Sequence, residues 1–410
     1  MNRPQSRALR LGVAFFAATL LVSACGRGDS GSGTGADAPG VTDSTVKIGS
    51  SYPLSGPLAA NGTAAMSAAT SYFDAINEEG GVEMADGKTR KIEFVYYDDG
   101  YDPARTVQNY KKLTTQDNVF ALFQTFGTSP NLSIMDSANA DKVPQLFVHS
   151  GAAVFSEDQE AHPYTIGWQP TYETEGAAFA DFLKQRDKPV TVAIISQNDD
   201  LGKAFVSGFK DNIGGSQVKV VGEQTYEATD PTLDSQVSKL ASTKADVLFS
   251  AVAIPKLAAG ALSKAQQLGW NPENLLVSLV SSTDQVVKPS GLDGSTGIYS
   301  AAFLKAADDP QWADDDEVKL YVARMKKSAP KADPTIPNAT WGYGTAATLV
   351  KALGEMKEVS RDSLMEEVHN ISGTVPLMLP GLKLKGSMTT PALQELHIQQ
   401  FKDGAWTTVN

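Results

Sequence analysis

Gln124-Thr-Phe-Gly-Thr-Ser-Pro-Asn131 joins a short apolar run, residues 119–123, to a segment with helical spacing of Leu132, Ile134, Met135 and Ala138. The run has the length and composition of a strand. Ser129 is expected as N-cap and Pro130 as the first helical residue. A strand that breaks into a Gly/Thr/Ser loop and feeds a capped helix gathers unpaired backbone N–H groups at one point. Such a point favours a carboxylate or another acceptor-rich small molecule. The loop therefore reads as one wall of a ligand cleft, with an ordinary strand-to-helix turn as the alternative.

Outward from this stretch the same alternation repeats. In the first half, strands at 46–51, 92–97 and 145–148 alternate with helices at 63–79 and from Asp102-Pro103 onward. Residues 53–62 read as a turn-rich loop. In the second half, strands at 190–195, 217–221, 246–249 and 275–279 alternate with helices at 172–185, 199–212, 255–268 and one capped by Asp230-Pro231. After a strand at 297–303 come helices near 316–327, 339–356 and 362–369, then a hairpin turning on Asp403-Gly404. Two runs of βα alternation predict an α/β protein of two doubly wound, Rossmann-like lobes with parallel sheets. In such sheets ligands lie beyond the carboxyl ends of the strands, which marks loops 52–62, 98–102, 124–131, 149–152, 196–203, 250–255 and 279–283.

Composition narrows the function. The chain of 410 residues is 41% hydrophobic and 20% charged, a globular balance with room for two domains. A net charge of −12 without a basic stripe argues against nucleic acid. Four His and one Cys, with no CxxC and no HExxH, give no metal or disulfide framework, so no cofactor and no metal are expected. No GxSxG or P-loop occurs. His149, alone among the marked loops, reads as a wall residue. The pairs Asp98-Asp99 and Asp199-Asp200 read as braces and caps, and the acid-rich run 308–317 as a solvated surface segment. An enzyme is therefore not expected.

At the N-terminus, Arg3, Arg7 and Arg10 precede an apolar run too short to span a bilayer comfortably, and Cys25 follows Val22-Ser-Ala24. This junction resembles the lipobox of bacterial lipoprotein signal peptides, which implies cleavage after residue 24 and lipidation of Cys25. Residues 25–43 are Gly/Ser-rich and read as a flexible tether. Within them Gly26-Arg-Gly-Asp-Ser-Gly31 matches GxGxxG, but no strand precedes it and no helix follows.

The rest resembles the extracytoplasmic solute-binding proteins of ABC importers, in the branched-chain amino-acid-binding (type I periplasmic binding protein) family. The resemblance rests on Tyr52-Pro-Leu-Ser-Gly-Pro57, Asn77-Glu-Glu-Gly-Gly-Val82, Tyr97-Asp-Asp-Gly100, Gly127-Thr-Ser-Pro-Asn131, Val143-Pro-Gln-Leu-Phe147, Ser150-Gly-Ala152, Gly167-Trp-Gln-Pro170 and Gln197-Asn-Asp-Asp200, in that order and spacing. It implies two lobes joined by a three-segment hinge, with 44–168 and 298–390 in the first and 169–297 and 391–410 in the second. It also implies a monomer that closes on a small-molecule ligand, delivers it to permease and ATPase subunits, and is held extracytoplasmically at the membrane by its lipid anchor.

Carried over position by position, the ligand carboxylate would meet Thr128, beside Phe126 and Gly127, and then His149, Ser150 and Gly151. The first-loop aromatic falls on Asn61, the second-lobe tyrosines on Leu201 and Val252, and the third-segment aromatic near Asn338. The acid that pairs with an amino acid's ammonium falls near Ser281, where none stands. Gln169 and Tyr172 add a polar and aromatic edge. The carboxylate-facing half is thus kept and the ammonium-facing half is not. A buried ammonium without an anion costs several kcal/mol, so a small amino-acid-like, amide or organic-acid ligand is expected, an uncharged or anionic one fitting better than a free α-amino acid. The alternatives are an amino-acid binder whose ammonium partner has moved, to Asp199, Asp200 or Glu173, and a ligand-sensing receptor domain.

Overall fold

In the computed structural model the described residues are 38–157, 160–295 and 297–409. The expected signal peptide, Cys25 and the tether as far as residue 37 lie outside them. Residues 38–43, expected within the tether, are folded: Val41 bridges Val46, and Gly40 accepts the Lys47 N–H at 2.8 Å.

The first lobe begins with β1 (Thr45–Tyr52), α1 (Ala59–Glu78), β2 (Val82–Glu83), β3 (Thr89–Asp98), α2 (Pro103–Thr115) and β4 (Ala121–Phe123). It continues with α3 (Thr128–Ala140), β5 (Gln145–Val148), α4 (Val154–Glu157) and β6 (Thr165–Gly167). Its sheet runs β2-β3-β1-β4-β5-β6, parallel except for β2.

The second lobe contains α5 (Tyr172–Lys184), β7 (Val190–Gln197), α6 (Asp200–Asn212), β8 (Val218–Tyr226), α7 (Asp234–Ala241) and β9 (Val247–Ala251). Then come α8 (Pro255–Gln267), β10 (Glu273–Leu276), α9 (Lys288–Ser290) and β11 (Ile298–Ala302). The chain returns to the first lobe for α10 (Asp316–Ser328), α11 (Pro337–Glu355), α12 (Arg361–Asn370), β12 (Ser372–Gly373) and β13 (Leu384–Lys385). Finally β14 (His397–Lys402) adds antiparallel to β11 and β15 (Ala405–Thr408) antiparallel to β14, completing the order β15-β14-β11-β10-β9-β7-β8. Their turn places Asp403 and Gly404 both at positive φ, as a two-residue hairpin on Asp-Gly requires.

The chain thus passes between lobes three times, after β6, after β11 and before β14. In each sheet the chain starts on an inner strand and then winds both ways, from β1 to β3 and β4, and from β7 to β8 and β9. These reversals are the switch points where a crevice opens beyond the strand ends. Close helix packing fixes the frame. A Cβ on Gly342 would come within 2.4 Å of the Ala65 carbonyl, so α11 lies directly on α1. Gly176 and Gly208 bring α5 and α6 together in the same way.

Three local expectations are corrected. Helix α1 begins at Ala59, inside the segment read as a loop, because Asn61-Gly62 is helical here; a Cβ on Gly62 would strike the Pro53 carbonyl at 2.3 Å. Helix α7 begins at Asp234 and not at Asp230-Pro231; Asp230 instead accepts the Glu227 N–H. Helix α3 begins at Thr128 with Gly127 as N-cap at φ +99°, so Ser129 and Pro130 fall in its first turn. Proline fits there because the first-turn N–H groups have no intrahelical partner.

Candidate ligand-binding cleft

The loop after β4 is stitched to the loop after β5. The Phe126 N–H reaches the Ser51 carbonyl, the Gly127 N–H the His149 carbonyl at 3.0 Å, and the His149 N–H the Thr125 carbonyl. Buried Asn131 donates to the Thr125 and Gly127 carbonyls and locks the loop from below. Gly127 cannot carry a side chain: its φ of +99° is glycine territory, and a Cβ would meet the Tyr101 ring at 2.3 Å.

Between the lobes lie two adjoining chambers. The strand-end chamber, about 350 Å³, is walled by Leu58, Asn61, Tyr101, Phe126, Gly127 and His149 from the first lobe and by Tyr172, Leu201, Ala253 and Leu279 from the second, with Asn338 between. The crossover chamber, about 610 Å³, shares His149, Leu279 and Asn338 with it. It runs along Gln169, Ser278, Ser281, Ser282, the crossover residues 301–304 and Ala306, Asp308, and Thr335, Pro337, Thr340 and Trp341 on α11 and its approach.

A polar relay links the segments at their junction. Asn61 donates to Asn338 Oδ1 at 2.8 Å, and Asn338 Nδ2 donates to His149 Nε2 at 3.0 Å. With Nε2 accepting, a neutral His149 carries its proton on Nδ1. The ring is stacked on Trp341 with centroids 3.8 Å apart and lies 4.2 Å from Phe126. Burial alone lowers its pKa to about 3, so His149 is an uncharged wall residue at physiological pH.

Of the thirteen ligand positions expected from the sequence, Asn61, Phe126, Gly127, His149, Tyr172, Leu201 and Asn338 line the strand-end chamber, while Gln169 and Ser281 line the crossover chamber. Thr128 and Ser150 are fully buried behind this wall with their hydroxyls 2.8 Å apart. Gly151 seats the Tyr172 ring, 2.7 Å from where its Cβ would stand, and accepts the Tyr172 N–H. Val252 is wholly buried and does not reach either chamber; its successor Ala253 does, since adjacent residues on an extended chain face opposite ways. Trp168, wholly buried and donating to Thr348, is crossover core.

The sequence reading missed Tyr101, which lies in a marked loop, and Trp341, one helical turn after Asn338. It also missed Asp308, placed in a solvated run although its Oδ1 is buried and the residue lines the crossover chamber. The acid pairs serve structure: Asp98 accepts the N–H groups of Leu54, Ser55 and Gly100, Asp99 the hydroxyls of Ser51 and Thr106, and Asp199 caps α6. Among the described residues no group of three His, Cys, Asp or Glu is placed to hold a metal ion, and no helix is long and apolar enough to cross a membrane.

Glu175 was also missed. It is 2% exposed on α5, and both its oxygens accept from Ser278, one from the N–H and one from the hydroxyl, each at 2.7 Å. Burial raises its pKa to about 7 against that pair of bonds. Above the ordinary value of 4.5 the native state therefore holds this proton longer than the unfolded chain. Stability is lost as pH rises from 4.5 to about 7, by about 3 kcal/mol. Urea unfolding at both ends of that window should show the loss in the wild type and a loss smaller by this amount in Glu175→Gln.

The sequence pattern of the family described as periplasmic binding protein matches residues 45–405. A Pseudomonas aeruginosa protein named for binding leucine, isoleucine, valine, threonine and alanine is 20% identical, over 84% of this chain and 87% of that protein. A solved fatty acid ABC transporter substrate-binding protein from Thermomonospora curvata superposes with a TM-score of 0.74 at 24% identity, covering 91% of this chain and 93% of the other. A branched-chain amino acid ABC transporter protein from Thermus thermophilus, solved with valine, gives a TM-score of 0.75 at 16% identity, covering 89% and 95%. A matched span of nearly the whole folded chain, on two doubly wound lobes around one cleft, makes this protein a member of the periplasmic binding protein family.

Proposed function

We propose that the protein is the solute-binding receptor of an ABC importer, holding an uncharged or anionic small molecule, an organic acid or an amide, between its lobes without altering it. One observation carries the ligand class: no described residue lining the strand-end chamber is ionised, His149 being neutral. An α-ammonium buried there would lack its anion. Of the acids expected to substitute, Asp199 spends its oxygens on Gln197 and on the Gly202 N–H. The relatives named above bind amino acids or a fatty acid, all of them carboxylates.

The ligand carboxylate is proposed to be seated by the first N–H groups of α3 together with the Thr128–Ser150 hydroxyl pair, which is buried behind the wall in this structure and has to open toward the chamber to receive it. Thr128→Val should weaken binding of the cognate acid by roughly 1.5–3 kcal/mol, the range for a hydrogen bond to a charged group, with the fold intact. Unchanged affinity in a calorimetric titration would remove Thr128 from the site. Recovery of the bound compound chemically unchanged after prolonged incubation tests the absence of turnover; a product would place the protein among enzymes.

The receptor is further proposed to be an extracytoplasmic monomer, serving permease and ATPase partners, with Cys25 as its lipid anchor. Cys25→Ser should move the protein from the membrane fraction to the soluble extracytoplasmic fraction. Retention on the membrane would contradict the anchor.

A further inference from the structure

We infer that the cleft is built for a two-ended ligand, whose far end lies in the crossover chamber and is a neutral group that both donates and accepts hydrogen bonds, of the carboxamide class. The inference rests on the receptor reading above and deepens it. The first observation is spatial. The two chambers meet at His149, Leu279 and Asn338, and the crossover chamber is the larger, about 610 against 350 Å³. A ligand confined to the strand-end chamber would leave the crossover chamber and its polar lining unused.

The second observation is chemical. Gln169 is 1% exposed, lines the crossover chamber, and neither its Nε2 nor its Oε1 has a hydrogen-bond partner among the described residues. Burying an amide with both ends unpaired is costly, and the cost is recovered when a group of complementary polarity is bound. Three further lining residues carry buried, unpartnered polar atoms: Trp341 Nε1 and His149 Nδ1, both donors, and Asp308 Oδ1, an acceptor. Donors and acceptors are thus presented together against an apolar flank of Leu279 and Phe303. A carboxamide answers both polarities with one group, as an alkyl terminus or a lone carbonyl does not. The amide side chain of Gln169 is complementary to it, N–H to carbonyl and carbonyl to N–H.

The test compares acids of equal length that differ only at the far end: glutaric acid monoamide against pentanoate, and adipic acid monoamide against hexanoate. The ω-amino acids of the same lengths form a third arm. Calorimetric titration of the purified protein should show one monoamide binding roughly tenfold or more tightly than its alkanoate. Gln169→Leu should abolish that preference, so that monoamide and alkanoate bind alike. Because this substitution removes two unpaired buried atoms, the ligand-free variant should melt no lower than the wild type, which guards against misfolding. Equal affinity of monoamide and alkanoate, or a preference surviving Gln169→Leu, overturns the inference. Tighter binding of the ω-amino acid, lost in Asp308→Asn, overturns it in favour of a far-end ammonium. If none of these compounds binds but another small molecule without a far polar group does, the two-ended ligand is wrong and the receptor reading stands. Failure of every small molecule to bind defeats the receptor reading itself.

Discussion

Between pH 6 and pH 4 the wild-type protein should lose roughly 1.4 kcal/mol of stability per pH unit more than a His149→Gln variant does. The native ring stays neutral down to about pH 3 because burial between Trp341 and Phe126 excludes the charged form, whereas the unfolded ring takes a proton near pH 6.5. Below 6.5 the unfolded chain therefore binds more protons, and stability falls with pH until about 3, by about 4–5 kcal/mol in all. His369, lowered to about 4 by burial, acts in the same direction but is common to both proteins and cancels in the comparison. Glutamine keeps an acceptor for Asn338 Nδ2, so the variant removes the titration with limited damage to the relay. Urea unfolding at several pH values measures the slope. Parallel slopes would mean that His149 is protonated in the native protein, and the chamber wall would then be cationic.

Gln124→Leu should lower the unfolding free energy by about 3–5 kcal/mol, more than any surface change. The Gln124 side chain is wholly buried and joins three elements. It accepts the Tyr52 hydroxyl at 2.8 Å, donates to the Gly342 carbonyl at 2.7 Å, and contacts the Thr345 hydroxyl. Leucine fills the volume but strands the Tyr52 O–H away from water and takes one bond from the Gly342 carbonyl, which keeps the Thr345 hydroxyl at 3.2 Å, so the cost is that of an unpaired group and not only of lost bonds. Adding Tyr52→Phe removes one stranded group. The double variant should therefore be less destabilised than the sum of the two single variants. Strict additivity would show that Tyr52 and Gln124 are energetically independent.

The same residue opens the stretch 124–131, which shows what the sequence reveals and what it conceals. A strand breaking into Gly/Thr/Ser and then Pro is legible because each residue type imposes a backbone preference within a few positions. The helix start was still misplaced by two residues, since Ser129 looked like a cap while Gly127, at φ +99°, closes the turn in a conformation other residues avoid. Two-lobe topology followed from the repeated alternation, because parallel strands need helical crossovers of that length. The Asn61–Asn338–His149 relay was out of reach, as 277 residues separate its first two members. Asn61-Gly62 looked like a turn for the reason that now explains it: a helix pressed against Pro53 admits only glycine at that point. Asp308 was lost in its acidic neighbours. Val252 was chosen one residue early, an error that turns a side chain from the cavity into the core.

On the proposed reading the cleft captures an acid or amide lacking a free α-ammonium. A thermal-shift screen of the purified protein against amino acids, amides, and aliphatic and aromatic acids is the decisive measurement, since a compound favouring the folded state raises the midpoint by an amount that grows with the logarithm of its concentration above Kd. The prediction is a concentration-dependent rise with at least one acid or amide and none with free α-amino acids. A rise confined to α-amino acids, or no rise with any compound, would contradict it.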